Sequence, residues 1–252
     1  MGKSVDDRLL PGERLCEMGR RGLLLIQRPG DGCFSQDSVL LADFSGVKRG
    51  SRVCDLGAGD GALALLLPAR EPDISCELVE IRADLCRRAR RSALLNHLED
   101  RVQAHCLNLC QAPEALGKGG FDLVVSNPPY HQLTRDEMAP EKRLARQQAA
   151  CDFPALAKSA AALLRHHGRF CLCVPAARVF EAAEALKAQG LMPKRLRFVA
   201  AFGDRAPYLC LLEGQRGAKA GLRVLPQLIQ FMAPGQWSPE MARIYHESEE
   251  MV

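Results

Sequence analysis

A short apolar strand that runs through three closely spaced glycines into a helix constrains this chain more than any other feature. The strand is Arg52-Val53-Cys54-Asp55-Leu56, the turn Gly57-Ala58-Gly59-Asp60-Gly61, and the helix Ala62 to Leu67, stopped at Pro68. Glycines there let the backbone approach a ligand closely and leave helix N–H groups facing it. The alternation then repeats. Strands are expected at Ser75–Glu80, Val102–Leu107, Phe121–Ser126 and Arg169–Val174, with helices at Ile81–Leu98, Leu156–Leu164 and Ala176–Gln189. Two further strands, near Arg195–Ala201 and Tyr208–Glu213, close the series. Strands alternating with helices predict an α/β fold, a Rossmann-like doubly wound and mostly parallel sheet. The closing helix–strand–strand supplies an antiparallel hairpin at one edge.

Flanking segments complete the plan. Apolar Gly22 to Ile26 and the turn residues Pro29 to Gly32 suggest a β-hairpin, and Asp37 to Phe44 a short helix. The last 39 residues hold one apolar run, Leu222 to Met232, and a helix starting at Ser238-Pro239, with Ser as cap and Pro at the first helical position. The expected division is an N-terminal extension over the site (1–50), a core (51–213) and a C-terminal extension packed on it (214–252).

The 252 residues include 47% hydrophobic side chains and only a small net charge, which excludes intrinsic disorder. Eleven cysteines lie scattered with no C-x-x-C pair, so neither a zinc site nor a disulfide framework is expected. The first residues lack the apolar core of a signal peptide, and no run is long enough for a membrane span. The expectation is a reduced cytoplasmic protein without metal, its thiols acting as small core hydrophobes.

Two positions give the glycine turn a chemical context. Glu80 ends the next strand, where a carboxylate can bind a ribose diol. On these residues alone a nicotinamide dinucleotide stays open, since Gly57, Gly59 and Ala62 also satisfy the loose dinucleotide fingerprint. The second position is Ser126-Asn127-Pro128-Pro129-Tyr130, at the carboxyl edge of the fourth strand. An exocyclic or amide nitrogen is a poor nucleophile because its lone pair is delocalised. The Asn127 side-chain oxygen and the Pro128 carbonyl can accept both of its N–H groups and localise that pair. Preorganised dipoles of this kind lower barriers by roughly 3–4 kcal/mol. Tyr130 offers a stacking face for a planar substrate.

Charge is uneven. The 34 basic and 30 acidic residues give +4, and the sequence pI is near 8.5, which neither requires nor excludes nucleic acid. Eight basic residues against two acidic ones lie between Leu186 and Arg223, and five arginines against Asp84 between Arg82 and Arg91. Each patch is either a solvated surface or a track for a phosphate backbone. The RNA contacts expected here are Arg146, Lys194, Arg195, Arg197, Lys219 and Arg223.

The spacing Asp55-x-Gly57-x-Gly59-x-Gly61 with Asn127-Pro128-Pro129-Tyr130 resembles the class I amino-methyltransferases of the N-P-P-Y type. That resemblance implies a seven-stranded sheet with one antiparallel edge strand, and S-adenosylmethionine as cofactor. It places the cofactor around Asp55, Gly57, Ala58 and Gly59, on Glu80 and Ile81, beside Asn108 and Leu109, and against Asn127. Asn108 stands where the family usually has an acidic residue. A closer similarity covers nearly the whole chain: Phe34 to Ala42, Arg143 to Arg146, and the tail Leu222-Arg223-Val224, Leu228-Ile229-Gln230, Trp237 to Glu240 and Ile244-Tyr245. These are similar to the tRNA (adenine-37) N6-methyltransferases that act on a valine tRNA. By that likeness Phe34, Gln36 and Asp37 close over the methionine end of the cofactor, Asn127, Pro128 and Tyr130 are catalytic, and tRNA is the partner. The family's Ala-Arg-His-Glu run reads Ala145-Arg146-Gln147-Gln148 here. Rival readings are a glutamine methyltransferase acting on a release factor, a noncatalytic RNA-binding protein that keeps the pocket, and a DNA adenine methyltransferase.

Overall fold

The computed structural model of the chain describes residues 9–19, 22–29, 34–128 and 152–246. Two short antiparallel strands come first, β1 (Arg14–Glu17) and β2 (Leu24–Gln27). The expected hairpin therefore turns between Glu17 and Leu24, ahead of Pro29; Gly19 and Gly22, both at φ 65°, supply the left-handed backbone that the turn needs. Then follow α1 (Gln36–Ser45), β3 (Arg52–Leu56), α2 (Ala62–Arg70), β4 (Ser75–Glu80), α3 (Ala83–Leu95), β5 (Val102–Cys106), α4 (Ala112–Leu116) and β6 (Phe121–Ser126). Beyond residue 151 come α5 (Phe153–Leu163), β7 (Leu164–Pro175), α6 (Val179–Ala188), β8 (Leu191–Ala200) and β9 (Leu209–Arg216). The tail forms β10 (Arg223–Val224), β11 (Leu228–Ile229), β12 (Phe231–Ala233), β13 (Gln236–Trp237) and α7 (Pro239–His246).

The central sheet has the order β10-β8-β9-β7-β6-β3-β4-β5, and β11 also pairs with β8. Strands β3 to β7 run parallel. β9 lies antiparallel between β7 and β8, so the closing hairpin supplies the reversed strand at that side. The nine strands are the seven expected plus β10 and β11, short parallel additions to β8 from the tail.

Period-two side-chain alternation builds two apolar layers from one sheet. Val53, Leu123, Val125, Cys171, Cys173, Leu209 and Leu211 face the layer that holds α1, α2 and α3. Their neighbours Cys54, Val124, Phe170, Leu172, Cys210 and Leu212 face the layer with α5 and α6. Six of the nine described cysteines are buried in these layers, and none forms a disulfide.

Several boundaries move for physical reasons. Helix α2 does not stop at Pro68 but continues to Arg70. A proline in the last turn forfeits one hydrogen bond, and here Arg70 anchors that turn by pairing with Asp43 at 2.9 Å and donating to the Ile244 carbonyl. α3 starts at Ala83, because Ile81 and Arg82 form the bend that follows Glu80. β8 begins earlier than expected and includes Pro193; β10 pairs only from Arg195 on, so the missing N–H lies before that pairing begins. His166 and His167 are exposed as expected, but within β7.

Candidate active site

At the carboxyl ends of β3 and β6 the two motifs found in the sequence lie side by side. Buried Ser126 donates from Oγ to the Leu56 carbonyl at 2.7 Å, tying the end of β6 to the start of the glycine turn. The turn is pinned from the other side, where the N–H groups of Gly57 and Ala58 both donate to the Val79 carbonyl of β4. Gly57, Gly59 and Gly61 have φ of 74°, 59° and 87°, a region that L side chains avoid. Their surroundings differ. A Cβ on Gly61 would lie 2.9 Å from the Ala89 methyl of α3, whereas one on Gly57 or Gly59 would meet nothing within 4 Å. Gly61 is thus required for helix packing, and Gly57 with Gly59 leaves an open backbone cradle.

Carboxylates surround that cradle. Asp55 is 1% exposed and its Oδ2 has no hydrogen-bond partner. Burial, and then the charge of Glu80, push its pKa up to about 8. Glu80 accepts from the N–H of Gly59 at 2.9 Å and of Arg82 at 2.8 Å; burial outweighs these bonds and raises it as well. Asp60, also raised by burial, accepts from Gln27 of β2 at 2.7 Å. Three acids held against their own ionisation around one turn make a site that favours a cationic ligand.

Asn127 follows β6 and donates from Nδ2 to the Ser38 hydroxyl of α1 at 3.0 Å. No described group donates to its Oδ1, which leaves that oxygen as an acceptor. Gln36 accepts from Gln230 of the tail at 2.9 Å, and the Tyr208 hydroxyl lies 3.4 Å from Asp37, whose pKa burial raises. The first turn of α1 therefore meets the Asn127 turn, the β8–β9 connection and the tail together. Ser38, Tyr208, Gln230, Asp60 and Gln27 were not singled out in the sequence. Ser38 lies in the Phe34–Ala42 segment and Gln230 in the tail motif, but no local periodicity marks either as a contact.

The remaining expected site residues divide. Phe34 packs against the core beside α1, and Ile81 is exposed just past Glu80. Asn108 and Leu109 stand at the carboxyl end of β5, where the Asn108 oxygen accepts from Cys110 N–H at 2.9 Å, a local cap that occupies part of its accepting capacity. Pro128 is buried beside Asn127. Tyr130 and Arg146 lie outside the described residues.

Two of the expected RNA contacts have another role. Arg195 pairs with Glu213 at 2.6 Å and donates to the Phe44 carbonyl, and Arg197 pairs with Glu240 at 2.7 Å and donates to the Pro226 carbonyl. Both guanidiniums are committed inside the fold, because β8 passes beside the end of α1 and beneath the tail. Lys194, Lys219 and Arg223 gather instead around the first half of β8, where Lys194 reaches the Lys219 carbonyl at 3.3 Å. That is roughly 20 Å back along the strand from its carboxyl end. Among the described residues no group of His, Cys, Asp and Glu could hold a metal, and no helix is long and apolar enough to cross a membrane.

Several known proteins are similar to this chain. A protein of Enterobacter sp. (strain 638), named as a tRNA1(Val) (adenine(37)-N6)-methyltransferase, is 36% identical over 141 residues, 55% of this chain and 57% of the relative. One of the same name from Escherichia coli O1:K1 is 30% identical over 142 residues, again 55% and 57%. The chain thus spans little more than half the length of these relatives. Among solved structures, a predicted O-methyltransferase from Agrobacterium tumefaciens superposes with TM-score 0.70 at 21% identity, covering 83% of this chain and 95% of that one. A Thermus thermophilus 16S rRNA N2 methyltransferase, solved with AdoMet and guanosine, gives 0.58 at 24%, covering 82% and 52%. Both likenesses establish a Rossmann-like methyltransferase fold. Residues 31–189, which carry the glycine turn, Glu80 and the Asn-Pro turn, match the family described as the methyltransferase small domain, and the chain belongs to that family.

Proposed function

We propose that this protein transfers a methyl group from S-adenosylmethionine to the N6 amine of an adenine in RNA, the anticodon-loop adenine 37 of a valine tRNA. The observation that carries the chemistry is the Asn127 amide, held through its N–H by Ser38 with its oxygen left to accept, beside the open turn at Gly57 and Gly59. The cradle and its three acids suit a ligand bearing a sulfonium and an ammonium group, with Asp55 Oδ2 an unsatisfied acceptor facing this task. When bound, that cofactor supplies an electrophilic methyl. Asp55, Gly57, Ala58 and Gly59 would hold it, with Glu80 on its ribose, Ile81, Asn108 and Leu109 near its adenine, and Phe34, Gln36 and Asp37 over its methionine end.

Asn127 Oδ1 and the Pro128 carbonyl accept the two N–H groups of the target amine and turn its lone pair out of conjugation. Tyr130 stacks on the base. The reaction needs no strong base, since the amine proton becomes acidic as the new bond forms. An anticodon-loop adenine is unpaired, so presenting it costs less than extracting one from a duplex. The names of the curated relatives support the tRNA substrate, and Lys194, Lys219 and Arg223 would meet RNA only where it extends along β8.

The test is incubation with labelled S-adenosylmethionine and total tRNA, followed by digestion to nucleosides. The expected product is N6-methyladenosine. Asn127→Ala should lower turnover about 10²–10³-fold while cofactor affinity stays within a few-fold. Label found only on protein would replace this reading with the release-factor glutamine methyltransferase. Absence of transfer with tight RNA binding would replace it with the noncatalytic one.

A further inference from the structure

A cleft of about 590 Å³ opens between the N-terminal hairpin and α3, on the flank of the candidate site. Five arginines line it, Arg28 just after β2 and Arg87, Arg88, Arg90 and Arg91 on α3, against the two carboxylates of Glu13 and Asp84. The hairpin is docked rather than loosely adjacent. Ser92 of α3 and Asn96, which caps that helix, bond the backbone of Ile26 and Leu24, and Arg91 grips Glu13 through both carboxylate oxygens. Inside the cleft the acids are already shared. Glu13 serves Arg91 and Arg88, and Asp84 serves Arg82 and lies 3.9 Å from Arg88. Arg90 donates to a neutral acceptor, the Ala104 carbonyl. Arg28 and Arg87 are exposed and pair with no carboxylate among the described residues.

This arrangement opposes the electrostatics of the helix that bears it. Arg87 with Arg90 and with Arg91 makes like-charged neighbours at spacings three and four, which destabilise a helix. A helix face that is merely solvated intersperses acids, and α3 has only Asp84. The surplus positive charge is therefore suited to an anion larger than a side-chain carboxylate. Its position fits as well: α3 starts three residues after Glu80, so its first turns stand on the rim where the glycine turn opens.

We propose that this cleft seats the phosphodiester backbone of the RNA substrate, an inference that rests on the RNA reading above. Arg28 and Arg87 contact the phosphates directly. Arg88 and Arg91 hold the hairpin and helix at the separation the backbone needs.

The test measures total tRNA binding by fluorescence anisotropy across a salt series for wild type and for Arg28→Gln combined with Arg87→Gln. S-adenosylhomocysteine calorimetry and a melting curve report on the fold and the adjacent turn. The double variant should bind tRNA about tenfold more weakly, with the slope of log K against log salt reduced by about 1.4–1.8. Its S-adenosylhomocysteine affinity should stay within twofold. Arg87→Lys should keep most of the binding, and Arg49→Gln, the loss of one positive charge at the far end of the strands, should leave it unchanged. Wild-type tRNA binding with the same affinity and slope in the double variant overturns the cleft assignment and leaves the RNA reading standing. Failure of the wild type to bind tRNA removes both. Loss of inorganic phosphate binding in the variant, without loss of tRNA binding, assigns the cleft to a free anion and overturns the proposal.

Discussion

Asp55 is the residue at which burial and function pull hardest against each other. Its type and place were readable from the Asp-x-Gly-x-Gly pattern, but its protonation was not, because that depends on the depth of β3 and on Glu80 arriving from β4. With its pKa pushed up to about 8 from 3.8, the folded protein binds a proton there that the unfolded chain has released. The stability this contributes is complete below about pH 3.8 and is lost as pH rises through about 8. Asp55→Asn should flatten the fall in ligand-free melting temperature between pH 6 and 9. A cationic ligand favours the ionised form, so wild-type affinity for S-adenosylmethionine should rise over the same range and the variant's should not. Parallel melting and binding curves for the two proteins would discard this account of the site. Asn127 is the complementary case. Its motif was legible, whereas the Ser38 contact that leaves its oxygen accepting spans 89 residues of sequence and was invisible.

At the scale of elements, the strand–turn–helix unit was recognisable because its signals are local: period-two burial, glycine φ angles and an apolar helix start. What the turn's three glycines each do was not local. Gly61→Ala combines a strained φ with contact against Ala89, so it should destabilise the fold by about 2–4 kcal/mol in urea denaturation. Gly57→Ala meets open space and should lose only the smaller cost of its φ, about 1–2 kcal/mol, while weakening S-adenosylhomocysteine binding by more than tenfold. Equal destabilisation by both, with equal ligand binding, would show that the turn is packing and not a cradle. The hairpin shows the same division. One of its strands falls in the expected run Gly22 to Ile26, but its docking on α3 relies on Asn96, which the sequence placed only near the end of the expected helix Ile81–Leu98.

Across the whole molecule, Glu213 acts as the internal anchor. It is 5% exposed on β9 and binds Arg169 of β7 at 3.0 Å and Arg195 of β8 at 2.6 Å. The same two arginines donate to the Phe44, Ser45 and Gly46 carbonyls, closing the carboxyl end of α1 against the sheet. Burial would raise the Glu213 pKa, but the Arg195 hydrogen bond and both positive charges hold it below the usual range. Glu213→Gln strands two guanidiniums and should cost about 3–5 kcal/mol at pH 7 by urea denaturation. Because the carboxylate is depressed, its contribution is present above about pH 4.5 and fades as pH falls, so wild type and variant should converge in acid. A gap that persists at pH 3 would assign the loss to packing instead of charge.

The sequence by itself determined the doubly wound sheet, the glycine turn, the carboxylate that follows it and the Asn-Pro turn, because each is written in residues a few positions apart and governed by backbone sterics and periodic burial. The tertiary structure decided which charges meet. Arg195 and Arg197, read as contacts for RNA, turn inward to Glu213 and Glu240, while the arginines of α3 line a cleft closed by Glu13 from 78 residues away. The reason is the range of the forces. Steric and hydrophobic periodicity act along the chain, but an ion pair forms only where folding brings a partner within a few ångströms, and composition carries no record of that distance.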